Sequence, residues 1–308
     1  MTDYRALLAE LAVPRLAGTA PAEPVRELLK RELAARGLVV MEHRFTGRSL
    51  LYRFARVPLS GVNLIAVRPR GRVATWLVAH YDSKGQPLSM AARLGAAALV
   101  GVGVVELLGL ALRALLGGGR AGVLDGALGG AGAAGAVLLA LNRVTDRSAG
   151  AVDNAAGVVT ALATVDALPP EAPVGVIFPD AEEYGMLGAR ALVRERANLL
   201  ADTTIVNFDG IDDRGPTIAL LHRGGATVER VARALEARRA RWLPVVVDGL
   251  ALAAVARECV TVMRGGWSTA RVIHTPRDTA ARLTLEGARM VAGAVAAALS
   301  VDARRPAV

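Results

Sequence analysis

Short apolar segments of strand length alternate with segments of helical spacing along most of this chain, and that alternation constrains its fold more than any other feature. The run VGVIF at 174–178, for example, lies between helical patterns at 153–168 and 188–200. When strands alternate with helices, the strands pair mostly in parallel and the helices cover both faces of the sheet. We therefore predict an α/β fold with three layers, α/β/α, around a mostly parallel mixed central sheet.

The spacing of apolar residues, interrupted by glycine and proline, sets the predicted boundaries. Helices are predicted at 3–12, 24–36, 153–168, 188–200, 227–239 and 284–299. Strands are predicted at 38–45, 49–57, 63–69, 74–83, 174–178, 203–210, 242–248 and 258–263. Because ligands of such sheets bind beyond the carboxyl ends of the strands, residues that follow the strands are the first candidates for a site.

Two histidines and several carboxylates lie where predicted strands end or where the next helix begins. The strand 74–83 ends with His80 and Asp82, and Asp209 closes the strand 203–210. The remaining candidates are Asp153, Glu182, Glu183 and His274. Imidazole and carboxylate ligands together suit zinc. A carboxylate that bridges two ions about 3.5–4 Å apart would make a two-metal site.

The stretch FPDAEEYGMLGA places two adjacent glutamates directly after a buried strand. A buried pair of bare carboxylates would be costly, but divalent cations offset their repulsion. The two side chains can then serve different tasks, with Glu183 binding metal and Glu182 acting as general base toward a water whose pKa the metal lowers.

Five motifs occur in an order that resembles a known family. They are VAHYDS, GAVDNAAGV, FPDAEEYGMLGA, IVNFDG and IHTPRDT. This order is similar to that of the co-catalytic zinc aminopeptidases related to bacterial leucyl aminopeptidase, whose fold glutaminyl cyclases share. The resemblance covers most of 1–300 apart from 91–142.

The resemblance implies two zinc ions per chain, with Asp153 bridging them. One ion would be held by His80, Asp153 and Asp209, and the other by Asp153, Glu183 and His274. Glu182 would be the general base, and Asp82 would orient His80. Ligating imidazoles usually donate their second N–H to a carboxylate, which agrees with that role.

The implied reaction is hydrolysis of N-terminal peptide bonds by a metal-activated water, on a peptide substrate with a free N-terminus. A glutaminyl cyclase-like acyltransferase, with one zinc and no hydrolytic water, stays open as an alternative. The segment HYDSK at 80–84 also occurs in that branch, whereas AEEYGMLG favours the peptidase. A noncatalytic membrane or scaffold protein that retains the fold is the second alternative, although the complete ligand set argues against it.

Two long apolar runs, 94–112 and 126–141, interrupt the pattern between His80 and Asp153. A 19-residue helix spans about 28 Å, close to the hydrocarbon core of a bilayer. We predict an inserted helical hairpin over 91–146 that crosses the membrane, within a discontinuous zinc exopeptidase domain formed by 1–90 and 147–308. Glu106 is the one charge in the first run and argues against a span. The alternative is a soluble hairpin that acts as a lid or as a homodimer contact.

Charge and cysteine content bear on partners and compartment. The formal charge is +9, yet the arginines are dispersed, and the cluster at 237–242 is interpreted as a solvated helix end, so no nucleic-acid partner is expected. Cys259 is predicted to be a buried structural thiol. The N-terminus lacks a signal-peptide core.

The basic residues around the hairpin indicate its orientation. Four flank its ends, Lys84, Arg93, Arg143 and Arg147, whereas its turn carries two, Arg113 and Arg120. Together these features predict a membrane-associated protein that faces the cytoplasm, with a soluble cytoplasmic protein as the alternative.

Several other polar residues are given structural roles. His43 and His222 are assigned to the surface or to packing, and Asp180 and Asp278 to loop stabilisation. Asp248 is left open as a residue near the site.

Overall fold

The structure is a computed structural model that describes residues 2–49, 58–69, 71–119 and 121–303, with side chains described as far as Ser300. The predicted strand at 49–57 lies almost wholly outside the described residues, as does Arg120. The strands are β1 (Val39–Gly47), β2 (Leu59–Val67), β3 (Thr75–Val78), β4 (Val174–Phe178), β5 (Thr204–Ile211), β6 (Thr217–Arg223), β7 (Arg238–Ala240) and β8 (Glu258–Arg264). The helices are α1 (Tyr4–Leu11), α2 (Ala22–Ala35), α3 (Met90–Leu115), α4 (Val123–Leu141), α5 (Ala156–Ala167), α6 (Leu187–Glu195), α7 (Ala197–Leu200), α8 (Ala226–Ala234), α9 (Asp248–Leu252), α10 (Trp267–Ala270) and α11 (Glu286–Ala303).

The strands form one mixed sheet in the order β1-β2-β4-β3-β5-β8-β6-β7. The four central strands, β4, β3, β5 and β8, run parallel to one another, while β1, β2 and β6 pair antiparallel with their neighbours on the inner side. The predicted three-layer α/β/α fold with a mixed sheet is therefore confirmed. The parallel centre also brings the carboxyl ends of β3, β4 and β5 to one edge of the sheet.

Each face of the sheet packs against its own set of helices. Leu77 and Val176 face the larger core, which is shared with α1, α2, α5, α8 and α11. Their chain neighbours Trp76 and Ile177 point to the opposite face, where α6, α7 and α9 pack. Because side chains alternate along a strand and both faces are covered, these strands are apolar at every position rather than at every second one.

Four boundary predictions were wrong. The helix predicted at 227–239 ends at Ala234, and Glu236 adopts a left-handed backbone (φ 48°), so the arginine cluster lies partly in the edge strand β7 and not at a helix end. The segment 242–248 is irregular around Pro244 instead of a strand. The predicted helix 188–200 breaks at Arg196, and the predicted strand 74–83 is regular only at Thr75–Val78.

Helices α3 and α4 form an apolar hairpin, and both are long and apolar enough to cross a membrane, with mean hydropathies of 2.1 and 1.6. Most of their surface is exposed, including Leu107, Leu115 and Val123. They pack through glycines: a Cβ added to Gly132 would lie 2.6 Å from the Cα of Gly103.

The hairpin is closed at its root by an antiparallel bridge. The Gly85 N–H donates to Thr145 O (2.6 Å), and the Thr145 N–H donates back to Gly85 O (2.8 Å). The two ends of the insertion therefore leave the domain side by side.

Candidate metal centre

The predicted site residues converge at the carboxyl edge of the central strands. His80 follows β3, and Asp209 lies near the end of β5. Glu182 and Glu183 form a 3₁₀ turn after β4, which Ala181 enters with a left-handed backbone (φ 56°). Asp153 and His274 come from the turns before α5 and after α10. All seven predicted residues are buried, including Asp82 behind His80.

The two carboxylate oxygens of Asp153 face different histidines. Its Oδ1 lies 3.2 Å from His80 Nε2, and its Oδ2 lies 2.9 Å from His274 Nε2. The same His274 nitrogen is 3.1 Å from Glu183 Oε1. Two groups of potential ligands result, His80–Asp153–Asp209 and Asp153–Glu183–His274, with Asp153 common to both.

Three atoms at the centre of this arrangement make no hydrogen bond within the described residues, although they are buried. They are His80 Nε2, His274 Nε2 and Glu183 Oε1. Four tetrahedral ligands at bond lengths of about 2.1 Å would be separated by about 3.4 Å, close to the contacts of 2.9–3.2 Å seen here. Nitrogen and oxygen atoms that are this close together, buried and without hydrogen bonds are suited to bind a metal ion.

The charges of the buried side chains also fit a metal site. Burial raises the pKa of Glu182 well above its usual value and the pKa of Asp209 to about 7, even though the nearby His80 opposes both shifts. Burial would also raise the pKa of Asp153 and Glu183, but the facing His274 holds the pKa of Asp153 well below its usual value and that of Glu183 at about 2.

Burial would lower the pKa of His80, but the carboxylates of Asp153 and Asp82 raise it well above its usual value. More buried carboxyl groups therefore meet here than the local cations balance, and divalent cations would supply the missing positive charge.

Two aspartates hold the backbone of this site. Asp82 accepts from the backbone N–H groups of Glu182 (3.1 Å) and Glu183 (3.2 Å), in addition to its contact with His80. Asp278 accepts from the N–H groups of Val152 (2.8 Å) and Asp153 (3.2 Å). Asp278 thus has the structural role expected of it, and Asp180 likewise accepts from the N–H of Val62.

Two contributors, Lys84 and Arg93, were not predicted from the sequence, and a third, Asp248, was left open. Lys84 Nζ lies 2.6 Å from Glu183 Oε2, so the two oxygens of Glu183 face Lys84 and His274 respectively. Arg93, in the first turn of α3, contacts His274 Nδ1. Asp248 is fully buried with both carboxylate oxygens unpaired within the described residues, and burial raises its pKa to about 8. Lysine and arginine carried no sequence signal here because their neighbours come from segments far away in the chain.

The remaining polar residues take part in packing. His43 is buried, with Nε2 2.9 Å from Glu195 Oε2, and its Nδ1 pairs with the side chain of Asn63. His222 is half-buried and bonds to the Thr261 hydroxyl. Cys259 is buried in β8, as predicted, and burial raises its pKa.

Comparison with known proteins places this arrangement in context. The model of a family described as Peptidase family M28 matches residues 63–299. No curated protein matches the chain.

Solved structures share the fold at low sequence identity. A zinc aminopeptidase from Bacillus subtilis is 13% identical with a TM-score of 0.64, covering 99% of this chain and 96% of that one. A glutaminyl cyclase from Fimbriiglobus ruber is 17% identical with a TM-score of 0.62, covering 97% and 94%. A Zn-dependent exopeptidase from Parabacteroides distasonis is 16% identical with a TM-score of 0.62, covering 98% and 97%.

Proposed function

The chain belongs to peptidase family M28, and from that premise we propose that it is a zinc-dependent aminopeptidase that hydrolyses N-terminal peptide bonds. The observation that carries the proposal is that the two carboxylate oxygens of Asp153 face different histidines, one His80 and the other His274. A carboxylate with one oxygen toward each of two ligand groups suits a bridge between two zinc ions. His80 and Asp209 would complete one group, and Glu183 and His274 the other.

The reaction follows from the buried groups around that bridge. When bound, zinc would polarise the scissile carbonyl and lower the pKa of the attacking water. Glu182, whose Oε2 lies 4.0 Å from His80 Nε2, takes the proton from that water and passes it to the leaving amine nitrogen. Lys84 keeps one oxygen of Glu183 occupied, so that the other stays directed at His274. These side chains are buried, and the lower local dielectric strengthens each of these interactions.

The proposal is tested by a panel of fluorogenic aminoacyl substrates together with the zinc content of the same protein sample. We expect about two zinc ions per chain and turnover of at least one substrate with a free N-terminal amine, blocked when that amine is acetylated. Protein that contains zinc but hydrolyses none of the panel would count against an aminopeptidase.

Glutaminyl cyclisation is the second candidate, because proteins of that name share the fold at similar TM-scores. Cyclisation of an N-terminal glutamine releases ammonia and consumes no water, and we expect it to accompany about one zinc ion per chain. Ammonia release from a glutaminyl peptide, without peptide cleavage, would favour this reading over the peptidase.

We further propose that the α3–α4 hairpin anchors the protein in a membrane. The support is that apolar side chains such as Leu108, Val105 and Leu124 are exposed on several sides of the hairpin, where water would solvate them poorly. Glu106, the charge that argued against a span, pairs with Arg113 at 3.0 Å, and Arg113 also pairs with Asp125. A charge that is paired inside the hairpin costs less to place in lipid.

The predicted orientation toward the cytoplasm stays part of this proposal. Lys84 and Arg93 point into the candidate site in the folded protein. The positive-inside tendency acts while the chain inserts, before the site has formed, so these two residues still count with Arg143 and Arg147.

A further inference from the structure

A surface cavity lies between the root of the hairpin and α10. Its volume is about 520 Å³, and its lining includes Leu88, Ala91, Ala92, Trp267, Arg271 and Arg277. Thr275, the neighbour of His274, also lines it, so the cavity opens beside a proposed zinc ligand. None of its lining residues is acidic. The described residues give neither arginine an ion pair, so the wall combines apolar surface with uncompensated positive charge.

Arg93 belongs to the same turn of α3 as two lining residues of the cavity and contacts the metal centre through His274. It follows the lining residues Ala91 and Ala92, and its guanidinium contacts Nδ1 of His274. Its Nε is buried and has no hydrogen-bond partner among the residues that the structure describes. The side chain is therefore directed toward the metal centre, where one of its terminal nitrogens contacts His274 and the Met90 sulfur, and its Nε–H is a donor that no described residue uses.

The contact between Arg93 and His274 cannot persist when His274 binds zinc. A histidine that ligates through Nε2 carries its proton on Nδ1, and that nitrogen is then a donor. Two donors cannot share a hydrogen bond, so metal binding frees the guanidinium while the α3 backbone keeps it close by. A free guanidinium beside a cavity is well suited to a carboxylate, which it can bind through two parallel hydrogen bonds.

We propose that this cavity receives the leaving residue of the substrate and that Arg93 binds the carboxylate of that residue, so that the site prefers dipeptides with a free C-terminus. The inference rests on the proposed peptidase function. In a dipeptide the carboxylate carbon lies about 3–4 Å from the scissile carbonyl carbon, since only two atoms separate them. Arg93, in contact with the proposed ligand His274, is on the same side as such a carboxylate, whereas each added residue of a longer peptide carries its carboxylate up to ~3.6 Å farther from the scissile bond. Arg271 and Arg277 add positive potential at the cavity wall.

The test compares leucyl-glycine with leucyl-glycinamide, which differ only in the C-terminal charge. In the wild-type protein we expect kcat/KM to be about 10–100-fold higher for the free acid, the range of a charge-assisted hydrogen-bonded pair. In Arg93→Ala the two substrates should become equal within about 3-fold, and Arg93→Lys should restore part of the difference. Arg143→Ala, an exposed arginine beyond the other end of the hairpin, should keep the wild-type ratio. Because each ratio is internal to one variant, partial misfolding cannot produce it.

A binding measurement separates this inference from the proposed reaction. Zinc-loaded Glu182→Gln should bind leucyl-glycine more tightly than leucyl-glycinamide in calorimetry, and the added change Arg93→Ala should remove the preference. Equal binding of acid and amide would overturn the inference even if peptides are hydrolysed. Leucyl-glutamate α-amide carries its only carboxylate on the side chain. If it binds more tightly than leucyl-glycinamide while leucyl-glycine does not, the inference is also overturned, because the protein then recognises a side-chain carboxylate and not the C-terminus. Tighter binding of leucyl-glycine than of leucyl-glycinamide, with no hydrolysis of any peptide, would support the carboxylate contact and count against the peptidase reaction.

Discussion

Nδ1 of His80 lies 3.3 Å from Oδ1 of Asp82, at the base of the candidate metal centre. The same carboxylate accepts the backbone N–H groups of Glu182 and Glu183. Asp82 therefore connects the loop after β3 with the turn after β4, and it fixes the histidine and the glutamate pair relative to each other.

We predict that Asp82→Asn weakens zinc binding or lowers turnover about 10–100-fold, because His80 Nδ1 loses the neighbouring carboxylate charge and keeps only its contact with the backbone carbonyl of residue 82 (3.2 Å). The amide can still accept one backbone N–H, but its NH₂ group faces the second, so the turn of Glu182 and Glu183 should loosen as well. Zinc titration against a competing chelator measures the effect, and unchanged far-UV circular dichroism is the control for folding. A wild-type titration curve would mean that another group orients His80.

Glu182→Gln should abolish most turnover while both metals stay bound. Glu182 belongs to neither ligand group, and loss of a general base typically costs ~10²–10⁴-fold. Glu183→Gln is the matched comparison, since the adjacent side chain faces His274 at 3.1 Å. That variant should lose metal as well as activity. Near-normal turnover in Glu182→Gln with full zinc content would remove Glu182 from the proton transfer.

Which features of the fold and the site can be predicted from the sequence depends on how far apart in the chain the interacting residues lie. The central strands and the helices beside them were predictable because their apolar spacing is local. His80, Glu183 and Asp209 could be proposed because the parallel sheet collects residues from strand ends at one edge, whereas Asp153 and His274 lie in turns and were assigned from the family resemblance. The arginine cluster near β7 was misassigned because strand pairing at the sheet edge outweighs the helical propensity of its sequence.

The supporting contacts of the site depend on the folded structure. Lys84 meets Glu183, and Arg93 meets His274, only after the hairpin root has brought distant segments together. Arg15 is a further case: it is buried and donates to the carbonyls of Tyr81 (2.6 Å) and Gly150 (2.9 Å), joining the loop after β3 to the turn before α5. An isolated arginine in a sequence gives no sign of such partners.

His222 should make stability depend on pH. Burial lowers its pKa to about 4, and the Thr261 hydroxyl, which accepts from Asn207, can donate to the neutral ring. The unfolded chain, with a pKa near 6.5, takes up the proton first, so this contribution is complete above pH ~6.5 and is lost as the pH falls toward 4. Wild type should therefore lose more thermal stability between pH 7 and 5 than His222→Gln does. Parallel melting curves for the two proteins would contradict the assignment.

Gly132→Ala should disrupt the packing of the hairpin, since the added Cβ would lie 2.6 Å from the backbone of Gly103. Overpacking of this kind costs about 1–3 kcal/mol. Gly130→Ala is the control: it makes the same change in the same helix, at a position with no atom within 4 Å of the new Cβ. Hydrogen–deuterium exchange over 90–141 should accelerate in the first variant and stay equal or slow down in the second. Equal exchange in both would mean that α3 and α4 do not pack through these glycines.

The last prediction concerns the membrane. If the hairpin spans a bilayer, the intact protein should stay with the membrane fraction after high-salt and carbonate washing, because its exposed leucines are held by lipid rather than by charge. A variant with 97–138 replaced by a short Gly/Ser linker should be soluble. The design keeps Arg93 and the Gly85–Thr145 bridge, so the two ends of the linker start close together and the metal centre should still load with zinc. Retained zinc in this variant is the control for folding. Intact protein that is soluble and monodisperse without detergent would refute the span, and a dimer in that sample that becomes a monomer in the linker variant would then identify the apolar hairpin as a contact between two copies.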